Sequence, residues 1–158
     1  MRFFFYGSLL DPAIRRAVMG RRAERSSIAP AVLTGWRRCR RREPLYPILL
    51  RAARGIVEGC LVENVDAAAA ARLNVFEGPA YRVALVPVRT TVDGVVSAYV
   101  FLPSRRLASP SRWDPAEWSR GRQRRALRLA KAEMASEERI AMGRLLIRWQ
   151  RRAVASRQ

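Results

Sequence analysis

Residues 2–20 read RFFFYGSLLDPAIRRAVMG, and the fold turns on how that run is parsed. Phe3, Phe4, Phe5 and Tyr6 form an unbroken apolar segment of strand length, which points to a strand covered on both faces. It stops at Gly7-Ser8. Beyond the stop, Leu10, Ile14, Ala17 and Val18 recur at helical spacing, Asp11-Pro12 supplies an N-cap and a proline at the first helical position, and Gly20 ends the pattern. Strand, tight turn, helix is the reading. A glycine and a small hydroxyl residue where a strand feeds a helix leave successive main-chain N–H groups unpaired, a geometry that accepts a carboxylate or an oxyanion. Such turns are also common as plain connectors.

The rest of the chain continues in short mixed elements. PAVLTGWRRCRRR (30–42) reads as a second strand, LYPILL (45–50) as a short apolar segment held by Pro47, and GIVEGCLVEN (55–64) as a third strand. Gly55 and Gly59 suggest a turn and a close backbone approach. VDAAAAARLNVF (65–76) is a short helix with Asp66 near its start. YRVALVPVRTTV (81–92) and VVSAYVFLP (95–103) are strands joined at Asp93-Gly94, a strong hairpin signal. After Pro103 the composition changes: PSRRLASPSRW is a Pro/Ser-rich connector, and the remainder is helical in pattern, opening at Asp114-Pro115-Ala116-Glu117. One helix from there to the C-terminal residues would be about 60 Å long, so a break is expected near Ser136. Past it, Met142, Leu145, Leu146 and Trp149 make an apolar face that must bury against something. We therefore expect a mixed α+β domain over residues 1–112 and a basic helical extension over 113–158, packed on that domain or on a partner.

With 158 residues, one core is the natural expectation. The chain has no histidine and only Cys39 and Cys60, without CxxC spacing. This removes imidazole-dependent triads, ordinary zinc sites and a disulfide framework. No segment is long and apolar enough to span a bilayer, and a cytoplasmic protein working through carboxylate or backbone chemistry is expected. The formal charge is +18, which invites a nucleic-acid reading. Yet Lys131 is the sole lysine, and an excess of arginine and alanine is what a GC-rich genome yields through codon usage. Aromatic residues are not interleaved with the arginine runs as a stacking platform requires.

One carboxylate stands out. In LNVFEGPAY (73–81), Glu77 lies between the apolar Phe76 and the turn residues Gly78-Pro79. A glutamate among apolar neighbours, in a chain without histidine, is a residue type that can shuttle protons near neutrality; the same position also suits a surface residue preceding a turn.

Taken together, FFFYGSLLDP, ILL…GIVEGCLVE, AARLNVFEGPAYRVALVPV, AYVF and WDPAEW, in that order, resemble the gamma-glutamylcyclotransferase-like superfamily, and within it the bacterial branch similar to the plant avirulence-induced-gene (AIG2-like) proteins. The resemblance spans roughly residues 3 to 120. It implies a compact mixed sheet closed into a partial barrel with flanking helices. It also implies that Tyr6, Gly7, Ser8 and Leu9 cradle the glutamyl end of a small substrate beside Tyr81, that Glu77 is the catalytic acid/base, and that 5-oxoproline is released with no metal or cofactor. Family members often read Leu-Asp where this chain has Leu73-Asn74, and many place an arginine two residues after the tyrosine, where here Arg82 follows Tyr81 directly. The rival expectation is a binding module that keeps the anion cradle without turnover and uses its basic tail to contact nucleic acid or an acidic protein.

Overall fold

The computed structural model describes residues 1–41, 46–104, 108–113, 120–136 and 140–141. Strand β1 (Phe3–Phe5) leads through a 3-10 turn (Ser8–Leu10) into helix α1 (Pro12–Met19). Asp11 caps α1, its carboxylate accepting from the N–H of Ala13 at 2.8 Å and of Ile14 at 3.2 Å, while Gly20 closes the helix at φ 70°. A second 3-10 stretch (Gly20–Arg25) precedes the long strands β2 (Ile28–Arg41) and β3 (Pro47–Val62). Helix α2 (Ala67–Glu77), the hairpin of β4 (Tyr81–Thr90) and β5 (Val95–Pro103), strand β6 (Ala108–Arg112) and helix α3 (Arg120–Met134) follow.

The strands run in the order β3-β1-β5-β4-β2, and β2 pairs back to β3, so five strands close into a barrel with β6 added at β2. Alternation along the strands makes two cores. Phe4, Tyr6, Leu33, Trp36, Leu49, Val57, Leu61, Val86, Val100 and Leu102 fill the barrel. Phe3 and Phe5 point the other way, to meet Ile14, Val18 and Met19 of α1, Ala69, Ala70, Ala71 and Leu73 of α2, and Ala126, Ala130 and Met134 of α3. A large apolar side chain fully buried in this way contributes about 1.5–3 kcal/mol. The described portion of the C-terminal extension thus packs on the domain's own helices. α3 ends at Met134 and Ser136 is non-helical; the cap at Asp114 to Glu117 and the apolar face of Met142, Leu145, Leu146 and Trp149 lie outside the described residues.

Three readings change. The segments around LYPILL and GIVEGCLVEN form one strand, because β3 pairs with β2 along almost its whole length, from Ile28↔Val62 to Arg40↔Pro47, across a bulge between Thr34 and Trp36. Gly55 is accordingly a close approach and no turn: a Cβ there would stand 2.2 Å from the Trp36 carbonyl oxygen. The Pro/Ser-rich connector contains β6, which pairs with β2 at Cys39↔Arg112 and Arg41↔Ala108; proline is tolerated on such an edge strand. The mixed sheet closed into a barrel with flanking helices is as expected. The ladders that complete it are short, namely Phe3↔Tyr99 between β1 and β5 and Ala31↔Thr90 with Val32↔Arg89 between β2 and β4.

Candidate active site

β1 has one registered partner on β5, at Phe3, and its pairing with β3 ends at Phe5↔Cys60. The strand therefore gives out inside the barrel wall, and Tyr6 and the turn after it stand at an opening. Gly7 begins the turn. A Cβ on it would meet Pro47 Cγ at 2.9 Å, so the start of β3 presses on the main chain here and excludes a side chain. The turn is closed by Leu10 N–H to the Gly7 carbonyl at 2.9 Å and Asp11 N–H to the Ser8 carbonyl at 3.0 Å. Within a 3-10 turn the leading N–H groups, here those of Ser8 and Leu9, have no carbonyl one turn behind them. Both residues are buried, so few directions are left open to those amides.

On the facing wall α2 ends. Asp66 caps its start, accepting from Ala69 N–H at 2.7 Å, and Gly78 closes it at φ 69° with its N–H on the Asn74 carbonyl. Glu77 is the last helical residue, half-buried, and Tyr81 N–H returns to the Gly78 carbonyl at 3.2 Å. This one tight turn brings Glu77 and the buried Tyr81 to the same place, while Arg82, next along β4, faces outward and is exposed.

Tyr6, Gly7, Ser8, Leu9, Glu77 and Tyr81 all line one half-open cleft of about 480 Å³, solvent at its mouth included. Every candidate residue read from the sequence is in it. Three further residues complete the lining: Tyr46, Pro47 and Phe76. Phe76 is half-buried and lines the cleft, with Tyr46 packed edge-on against it at 6.1 Å between centroids. No local pattern marked Tyr46 and Pro47, since only the length and register of β3 carry them to the turn.

Tyr6 is anchored to β5. Its hydroxyl donates to the Phe101 carbonyl at 2.8 Å. Burial, then the negative charge of Glu77 and the neighbouring Tyr81 phenol, push its phenol well above the ordinary value of 10.0, while Arg38 pulls the other way. The phenol therefore stays protonated across the neutral range, and Glu77 is near enough for its charge to be felt there. Arg38 itself lies over the Trp113 ring at 5.7 Å. Cys39 and Cys60 are free thiols, buried outside the cleft. Among the described residues no cluster of three or more cysteines or carboxylates is placed to hold a metal ion, and no helix is long and apolar enough to cross a membrane.

Comparison with known proteins adds to this geometry. The family model described as Gamma-glutamyl cyclotransferase, AIG2-like, matches residues 3–120. Protein AIG2 C of Arabidopsis thaliana is 30% identical over 118 residues, covering 73% of this chain and 70% of that protein. An Arabidopsis thaliana protein known from a solution structure superposes with a TM-score of 0.61 at 23% identity, covering 87% of this chain and 92% of the other. A solved structure titled gamma-glutamyl cyclotransferase superposes with a TM-score of 0.56 at 13% identity, covering 92% and 87%. At these identities the two structural likenesses speak to the fold.

Proposed function

The chain belongs to the gamma-glutamyl cyclotransferase, AIG2-like family, and from that premise we propose that it is an enzyme that cyclises a small gamma-glutamyl amide and releases 5-oxoproline. The observation that carries this reading is the shared cleft: the Tyr6–Leu9 turn and Glu77 line the same space.

The substrate's glutamyl end carries a carboxylate and an amine on one carbon. The carboxylate is held by the turn's open main-chain amides. The amine lies toward Glu77, where the carbonyl end of α2 also favours a cation. So oriented, the amine nitrogen is folded over its own γ-carbonyl. Attack closes a five-membered ring; nucleophile and electrophile share one molecule, and holding them in near-attack geometry supplies much of the acceleration. As the new C–N bond forms, the attacking nitrogen gives a proton to the Glu77 carboxylate, which passes it to the departing nitrogen as the amide C–N bond breaks; the other proton of the original ammonium goes to solvent. One carboxyl group serves as base and then as acid. Charge developing on the carbonyl oxygen is met by fixed dipoles at the cleft wall, an arrangement worth about 3–4 kcal/mol per donor in acyl transfer. The phenol of Tyr6, protonated at neutral pH, lines the same cavity.

Purified protein supplied with gamma-glutamyl dipeptides and gamma-glutamyl amines tests the reading by 5-oxoproline release. Turnover of at least one member of the panel is expected. A chain that retains its fold and releases none from any member overturns the proposal.

A further inference from the structure

Arg15 stands in the first turn of α1, where the amide end of a helix disfavours a cation, and yet it is only 9% exposed. The ion pairs of Arg2 with Glu63, Arg16 with Glu24 and Arg22 with Asp66 do not include Arg15, and among the described residues no carboxylate is paired with it. A buried cation with no counter-ion is costly unless its protons are otherwise satisfied. Here Nη1 donates to the Leu9 carbonyl at 2.9 Å and to the Leu10 carbonyl at 3.3 Å. The guanidinium thus reaches back from the helix to the last carbonyls of the turn that lines the cleft. Burial pushes the Cys60 thiol up and the Arg15 charge opposes the rise; Cys60 is the β3 partner of Phe5, where β1 ends.

Two consequences follow for the turn. The Leu9 and Leu10 carbonyls that Arg15 holds share their peptide planes with the Leu10 and Asp11 N–H groups, which donate to the Gly7 and Ser8 carbonyls; the planes of those two carbonyls carry the Ser8 and Leu9 N–H groups, so the constraint passes through the turn's own hydrogen bonds to the open amides. A full positive charge, lacking any carboxylate partner among the described residues, also stands behind those amides. We infer that Arg15 is a positioning residue that holds the Tyr6–Leu9 turn in its anion-accepting form and backs it with charge that the α-carboxylate of the substrate answers. This inference rests on the proposed function for the identity of the guest, though not for the existence of an anion site.

Arg15→Met keeps an apolar stem and removes both donor and charge; Arg15→Lys keeps the charge. Each is compared with the wild type in steady-state kinetics on a gamma-glutamyl dipeptide and on the same dipeptide with its α-carboxylate converted to the amide. Because hydrogen bonds to charged groups are at stake, Arg15→Met is expected to raise KM about tenfold to hundredfold on the carboxylate substrate, with kcat within about threefold. The effect should shrink several-fold on the amide, and Arg15→Lys should recover part of the loss. An equal KM rise on both substrates, or a fall in kcat alone, overturns the inference. Should Arg15→Met fail to fold, Arg15→Lys must still show a KM rise confined to the carboxylate substrate, and its absence has the same force. Calorimetric titration with L-glutamate and with its α-amide separates this inference from the enzymatic reading. Carboxylate-selective binding that weakens in the variants, without 5-oxoproline release by the wild type, upholds the role of Arg15 and removes only the reaction. Turnover by the wild type without carboxylate selectivity in the variants removes only the role of Arg15.

Discussion

The Tyr6–Leu9 turn and Glu77 face the same cleft, yet the first offers main-chain amides at the end of a strand and the second a side-chain carboxylate at the end of a helix. The turn wall is distributed: Gly7 is required by Pro47, Ser8 and Leu9 are buried beneath it, and Arg15 holds its last carbonyls. Its chemistry belongs to no single side chain, so it responds to changes of shape. The Glu77 wall is concentrated in one functional group, and a change that preserves shape but alters that group should act on rate far more than on binding.

The largest expected effect breaks the comparison at its concentrated end. Glu77→Gln is nearly isosteric and removes the proton acceptor, so turnover should fall by about 10²- to 10⁴-fold, as for loss of a general acid–base group. Thermal unfolding should be little changed, and glutamate binding should persist in calorimetry. Undiminished 5-oxoproline release would remove Glu77 from the mechanism.

Gly59→Ala attacks the other wall from beneath. The added Cβ would lie 2.2 Å from the Phe5 carbonyl oxygen and 2.6 Å from the Phe4 ring, so β1 must shift just before Tyr6. A stability loss of about 1–3 kcal/mol is expected in denaturant unfolding, together with a raised KM. Gly7→Ala is milder, because the contact is with the Pro47 ring at 2.9 Å and not with backbone. A KM increase of about tenfold with kcat near that of the wild type would match the loss of one charge-assisted contact. A kcat effect as deep as that of Glu77→Gln would erase the distinction between the walls.

Tyr6→Phe should do least. It removes the hydrogen bond to the Phe101 carbonyl, at a cost of about 1 kcal/mol. It also carries a pH signature. The folded protein holds the Tyr6 proton more tightly than the unfolded chain does, since burial and the charge of Glu77 raise its pKa. The corresponding stability is intact below pH 10, the ordinary tyrosine value, and declines as pH rises above it. Denaturant titrations at pH 8 and above pH 10 should therefore show a larger loss for the wild type than for Tyr6→Phe; equal losses would place the phenol in water.

Much of this arrangement is legible in local sequence because it rests on local physics. Asp11-Pro12 caps α1 through contacts two and three residues away, Asp93-Gly94 turns the β4–β5 hairpin, and the alternation of Phe3 and Phe5 against Phe4 and Tyr6 sorts side chains between two cores. The glycines mislead where their cause is remote. Gly55 resembles a turn residue, yet its neighbour is the Trp36 carbonyl on another strand. β6 resembles a linker because an edge strand needs only one partner and tolerates proline. The cleft divides in the same way. Glu77 and the YGSL turn are readable as residue types, whereas Tyr46 and Pro47 reach the site through the sixteen-residue strand β3, twelve of whose residues pair with β2 across a bulge, a pairing that no short window contains.

A structure of the Glu77→Gln protein with a gamma-glutamyl dipeptide bound addresses the central claim most directly. The account predicts the glutamyl α-carboxylate on the main-chain N–H groups of the Tyr6–Leu9 turn, with the α-amine within hydrogen-bonding distance of the residue 77 side chain and above the γ-carbonyl carbon. A dipeptide bound with these ends reversed, or held outside the cleft, would contradict it.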